Sequence, residues 1–209
     1  TGIAMTNGTA SCTVTISGLT NEAGQTGTCP QAAQTNLAAS VTTTNATNTS
    51  TNQCLSVSAI PPNAAKTFGT GTINDGATTT LIFTLTNQGT NPAQSGIALG
   101  DTLPSGLRFN TTTPAVAYSA GCSGPATASY NTGTRVLSGL TGIAMTNGTA
   151  SCTVTISGLT NEAGQVGTCP QAAQTNLAVN VTTTNATNTS TDQCVSVNRI
   201  NPNAAKTFG

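Results

Sequence analysis

Residues 150–158 read ASCTVTISG, and the same letters stand at residues 10–18. In an extended chain Cys152, Val154 and Ile156 share one side, while Thr153, Thr155 and Ser157 share the other. That period of two marks a half-buried strand, and β-branched threonine suits its solvated face. The alternation returns in TTLIFTLTN at 79–87, where Leu81, Phe83 and Leu85 are in phase, and again at Leu177, Val179 and Val181. Val195 and Val197 predict a last strand. Turn chemistry separates these runs, with NDG at 74–76, PSG at 104–106, SGP at 123–125 and NTG at 131–133. Helical spacing is sustained nowhere, AAQTNLA being the one short exception. Short alternating strands with turns between them predict an all-β fold built from immunoglobulin-like β-sandwich domains.

The duplicated strand belongs to a longer repeat. Residues 1–69 align with 141–209, and only eight of those positions differ: Thr26/Val166, Ala39/Val179, Ser40/Asn180, Asn52/Asp192, Leu55/Val195, Ser58/Asn198, Ala59/Arg199 and Pro61/Asn201. A period of 140 residues is domain-sized, far too long for one turn of a solenoid, so the chain reads as a tandem array. Charged residues make up 5% of the 209, the net charge is zero, and histidine and tryptophan are absent. Five Lys and Arg scattered over that length form no basic patch, which argues against a nucleic-acid surface. Low net charge also weakens mutual repulsion, so self-association with identical repeats or chains is the expected partnership. No apolar run is long enough for a membrane-spanning helix, so no membrane span is expected.

The run AKTFGTGTINDGATTTLIFTLTNQGTNPAQSGIALGDTLPSGLRF at 65–109, followed by Cys122 and the SCTVTI strand, resembles the bacterial "conserved repeat" surface domains. These are Ig-like modules of unknown function that occur in tandem on large secreted proteins. AKTFG, the LTN at 85–87, DTLPSGL at 101–107 and SCTVTI carry the likeness, which covers residues 64–165; the tail after Glu162 departs from it. The resemblance sets the frame. One complete unit is expected over 62–201, the C-terminal part of a truncated unit over 1–61, and the first strand of a further unit over 202–209. The junctions SAIPPNAA and NRINPNAA contain proline, which restricts hinging.

That frame resolves the odd count of seven cysteines, since a full unit holds Cys122, Cys152, Cys169 and Cys194. Four cysteines allow three connectivities. The resemblance implies Cys122–Cys152, which leaves Cys169–Cys194 and, in the first copy, Cys29–Cys54. Disulfides imply an oxidising compartment, hence an extracellular or cell-surface location. A zinc site lacks both CxxC spacing and histidine, a catalytic thiol lacks a histidine partner, and no cofactor is expected.

Other candidate chemistry is sparse. NDG at 74–76 lacks the alternating ligands of a calcium loop and predicts a hairpin turn instead. Asp75 and Asp101 could be imagined as a glycosidase pair, but no aromatic sugar platform accompanies them, so no enzyme is expected. Lys66 and its copy Lys206 are the only lysines. In some bacterial surface domains such a lysine bonds covalently to an asparagine on the last strand beside a buried acid. Asn198 and Asp101 are the candidates for those parts, although Asn198 is Ser58 in the other copy. Asn7, Asn45, Asn48, Asn110, Asn147, Asn185 and Asn188 open N-x-[ST] glycosylation triplets, which arise readily by chance in so Asn- and Thr-rich a chain. The sequence therefore leads to a structural repeat segment of an extracellular fibre, filament or giant surface protein. The alternative is an adhesin module binding a glycan or another surface.

Overall fold

The computed structural model describes residues 3–22, 25–58, 60–89 and 92–201. The strand expected at 202–209, and with it Lys206, lies outside the described residues. The chain divides into two compact units, Thr1–Ala59 and Ile60–Gly209.

The first unit carries little regular structure. A 3-10 turn at Ala32–Gln34 leads into β1 (Thr35–Asn36), and a second at Ala38–Ser40 is followed later by β2 (Gln53–Cys54). β1 and β2 pair antiparallel, and Cys29 is disulfide-bonded to Cys54.

The second unit is all-β. Its strands are β3 (Asn63–Phe68), β4 (Thr72–Asn74), β5 (Thr79–Thr86), β6 (Gln94–Thr102), β7 (Leu107–Phe109), β8 (Val116–Tyr118), β9 (Cys122–Ser123), β10 (Ser129–Asn131), β11 (Val136–Met145), β12 (Ser151–Asn161), β13 (Thr175–Asn176), β14 (Val181–Thr184), β15 (Thr187–Asn188), β16 (Gln193–Cys194) and β17 (Ser196–Asn198). One sheet has the order β10-β11-β6-β14, with β9 also on β11; another has the order β15-β3-β5-β12-β7, with β8 also on β12. Their apolar stripes share one core. Ile97, Leu99, Leu137, Leu140 and Ile143 come from the first sheet, and Leu81, Phe83, Leu85, Val154, Ile156 and Leu159 from the second. Among the described residues there is no α-helix, and no helix is long and apolar enough to cross a membrane.

The two copies of the opening stretch behave differently. Ile156 is fully buried on β12, whereas Ile16, in an identical local sequence, is 86% exposed and lies in no strand. β12 is held by β5 along one edge and by β7 and β8 along the other. Among the described residues of the first unit, none pairs with residues 10–18. An alternating segment cannot hydrogen-bond itself, so its strand exists only where partner strands meet it.

The tail behaves in the opposite way. Both copies form a 3-10 turn, a two-residue strand pair and a disulfide at corresponding places. Even the substituted position 52/192 keeps its bond, since Asn52 Oδ1 and Asp192 Oδ1 each accept from the backbone N–H of the matching alanine. This segment is specified by its own short-range contacts.

Two local expectations are corrected. The alternation at Leu177, Val179 and Val181 predicted a strand, but Ala178–Asn180 is a 3-10 turn that leaves Leu177 and Val179 exposed and only Val181 buried. Side chains take over the backbone groups there: Asp192 accepts from Ala178 N–H, and Asn188 Nδ2 donates to the Ala178 carbonyl. The NDG sequence does form a turn, with Ala77 N–H donating to Asn74 O, but it joins no hairpin. β4 pairs in parallel with β17 rather than with β5.

Three disulfides are present, Cys29–Cys54, Cys122–Cys152 and Cys169–Cys194, and Cys12 is free and exposed. Cys169–Cys194 closes a separation of 25 residues. In the chain-entropy model such a loop contributes about 3.5 kcal/mol. Replacing both cysteines by alanine is expected to lower the unfolding free energy of the second unit by that amount, read from denaturant titration of the otherwise oxidised protein.

Candidate functional site

The site grows out of two strands whose inward phase is interrupted by charge. On β3 the buried positions alternate through Ala64 and Lys66; on β6 they run Ile97, Leu99 and Asp101. Side chains two apart face the same way, so an ammonium and a carboxylate are carried on stripes otherwise committed to the core. Lys66 is 1% exposed and Asp101 2%. Lys66 lies opposite Phe83 in the β3–β5 ladder, while Asp101 lies between Leu137 on β11 and Val181 on β14. The Nζ–Oδ1 distance between them is 3.6 Å, close enough for ion pairing and too long for a good hydrogen bond.

The tail supplies the third member. Asn176, at the end of β13, is fully buried and donates through Nδ2 to Asp101 Oδ2. The neighbouring carbonyl of Leu177 accepts from Lys66 Nζ. The tail motif places both groups. Thr175 and Asn176 pair with Cys194 and Gln193, Cys194 is bonded to Cys169, and Ser190 Oγ accepts from the Lys66 backbone N–H. Asp101 therefore touches both Lys66 and Asn176. Two buried oxygens of the cluster, Asp101 Oδ1 and Asn176 Oδ1, have no hydrogen-bond partner.

Electrostatics in this enclosure favour neutral forms. Burial pulls the Lys66 ammonium below its ordinary value of 10.5, against the opposing pull of Asp101 and, more weakly, Asp192. Burial pushes the Asp101 carboxyl above its ordinary value of 3.8, with Lys66 and the Asn176 amide working the other way. Desolvation is the leading cause for both groups. In their neutral forms an amine, a carboxylic acid and a primary amide are the reactants and proton carrier for amide exchange.

The expected amide needs correction. Asn198 is exposed on β17, where Ser196–Asn198 runs beside Thr72–Asn74, and its backbone carbonyl accepts from Asp75 N–H. The amide joined to Asp101 is that of Asn176. Nothing in the alternation marks Asn176, because it lies in the irregular tail; only its pairing across β13–β16 turns it inward. Lys66 and Asp101, by contrast, could be found by carrying the period of two through AAKTF and GIALGD.

A second polar cluster anchors the NDG turn. Buried Asn161 accepts from Gly76 N–H through Oδ1 and donates through Nδ2 to Asp75 Oδ1 and to the carbonyls of Glu162 and Gln165. Both polar atoms of its amide are hydrogen-bonded, which fits a structural role. Among the described residues no group of three or more His, Cys, Asp or Glu side chains is placed to hold a metal. Asn7, Asn45, Asn48, Asn110, Asn147, Asn185 and Asn188 are all exposed. Asn48, Asn185 and Asn188 already spend their amide N–H groups on backbone carbonyls.

No curated protein and no solved structure matches this chain. Residues 62–197, more than half of it, match the model of a domain of unknown function, DUF7933, and the chain belongs to that family.

Proposed function

We propose that this chain is a structural repeat segment of an extracellular fibre or giant surface protein, assembled from tandem Ig-like β-sandwiches stapled by disulfides. The observation that carries the reading is the contrast between the two copies of one sequence. Val154, Ile156 and Leu159 are buried against β5, β7 and β8, while their counterparts Val14, Ile16 and Leu19 are exposed. In the second copy the partner strands β5, β7 and β8 all come from residues 62–140, so strand and partners together make up one repeating unit of a tandem array. Three disulfides accord with a secreted or cell-surface setting. The role is mechanical rather than catalytic: strand ladders resist extension, and each disulfide limits how far a unit unravels.

Electron microscopy of material purified from its source tests this. Ordered fibres with an axial repeat near one domain length are the expected result. Monodisperse rods retained on immobilised glycans would overturn the fibre reading in favour of an adhesin.

A further inference from the structure

We propose that Lys66 and Asn176 are joined by an intramolecular amide bond, formed spontaneously in the folded chain, with Asp101 as the general acid–base group. This site belongs to the second unit alone and does not depend on the fibre reading.

Four observations converge on it. Lys66, Asp101 and Asn176 are three chemically complementary side chains, all buried, brought from β3, β6 and β13 to one point. Asp101 contacts both of the others, through Oδ1 on the Lys66 side and Oδ2 on the Asn176 side. The Leu177 carbonyl takes an N–H from Lys66 Nζ, which holds the amine beside the residue that carries the electrophile. Asn176 Oδ1 has no hydrogen-bond partner, and Asp101 Oδ1 has only the Lys66 ammonium at 3.6 Å, so both oxygens keep acceptor capacity free. Contrast Asn161, where both polar atoms of the amide are hydrogen-bonded.

The chemistry balances without any co-reactant. The uncharged Lys66 amine attacks Cγ of Asn176 as the C–N bond forms. Protonated Asp101 gives its proton to the amide, polarising the carbonyl after a half-turn of the amide that brings Oδ1 onto the carboxyl. The tetrahedral adduct then passes the Nζ proton through the Asp101 carboxylate to Nδ2. The Cγ–Nδ2 bond breaks, ammonia leaves, and the oxygen of the adduct returns its proton to the Asp101 carboxylate as the carbonyl re-forms. One amide replaces another, no electrons are transferred, and Asp101 ends as it began. Burial serves the reaction in two ways: it disfavours the charged forms that would be inert, and it keeps out the water that would compete as nucleophile.

The readout is mass. The intact, reduced full-length chain is expected about 17 Da below its sequence mass, the mass of the ammonia lost when an amine displaces an amide nitrogen. Acylation of amines after complete unfolding supplies a count independent of that shift. Lys66 and Lys206 are the only lysines, so the cross-linked chain is labelled at Lys206 and not at Lys66. Proteolysis of the wild-type chain should yield a peptide pair joining the segments around residues 66 and 176, a result that needs no variant to fold. Lys66→Arg and Asp101→Asn, which keep size and polarity, should both return the full sequence mass. A wild-type chain at full mass with Lys66 acylated would overturn the proposal. So would a loss of about 18 Da with the linked peptide mapping to Asp101, which would signify condensation with the acid and release of water.

Discussion

Asp101→Ala is expected to destabilise the second unit by about 3–5 kcal/mol, the range found when one partner of a buried ion pair is removed and the other stays behind. The substitution leaves Lys66 fully enclosed on β3 and takes away the acceptor of the Asn176 amide. It also introduces a cavity between Leu137 and Val181, the residues flanking Asp101 across the ladders. The loss should depend on pH in a defined sense. Without Asp101, burial holds the Lys66 ammonium below 10.5, and only the more distant Asp192 opposes it. The unfolded chain then binds more protons than the folded one between the depressed folded value and 10.5. Stability contributed by the neutral amine is therefore present above 10.5 and lost as pH falls through the folded value. Asp101→Ala should be less stable at neutral pH than in mild alkali. Both tyrosines, Tyr118 and Tyr130, lie in the second unit, so tyrosine fluorescence during urea unfolding reports on that unit alone. A double variant, Lys66→Met with Asp101→Leu, should be more stable than Asp101→Ala, since apolar replacement of both partners removes the stranded charge.

Phe83→Ala is expected to cost about 3–5 kcal/mol by the same measurement, through a different mechanism. Phe83 stands in the middle of β5, buried, with Lys66 opposite it on β3 and Val154 opposite it on β12. The cost combines lost transfer energy with the cavity that neighbouring strands cannot close, because their ladders fix the backbone spacing. Ile16→Ala, in the copy of the buried strand, should change the unfolding free energy of the second unit negligibly, whereas Ile156→Ala should approach the effect at Phe83.

These substitutions also mark how far the residues themselves could be read. The alternation of Leu81, Phe83 and Leu85, and of Cys152, Val154 and Ile156, is enough to identify β5 and β12 and the face each buries. It is not enough to say that residues 10–18 remain outside any strand, because the determinant there is the absence of neighbours and not anything local. The tail resists pattern reading for the opposite reason. Leu177, Val179 and Val181 alternate, yet Asp192, Asn188 and Lys66 claim the backbone groups that a ladder would need, and the chain turns instead. Asn176 is invisible to periodicity for the same cause. Lys66 and Asp101 were legible as a lysine and an acid worth pairing. Their inward phase, which decides their chemistry, follows from counting by twos along β3 and β6.

The way the second unit closes determines how it would bear load. Its opening strands have late strands as parallel neighbours: β15 lies along β3, and β17 along β4. A pull applied at residue 62 against one at residue 198 would slide each pair lengthwise, stressing all of its hydrogen bonds together rather than peeling them one at a time. Tension reaching Lys66 would be handed by the amide to Asn176, bypassing residues 67–175, where most of the hydrophobic core resides. Such a unit would behave as a nearly inextensible link between residues 66 and 176.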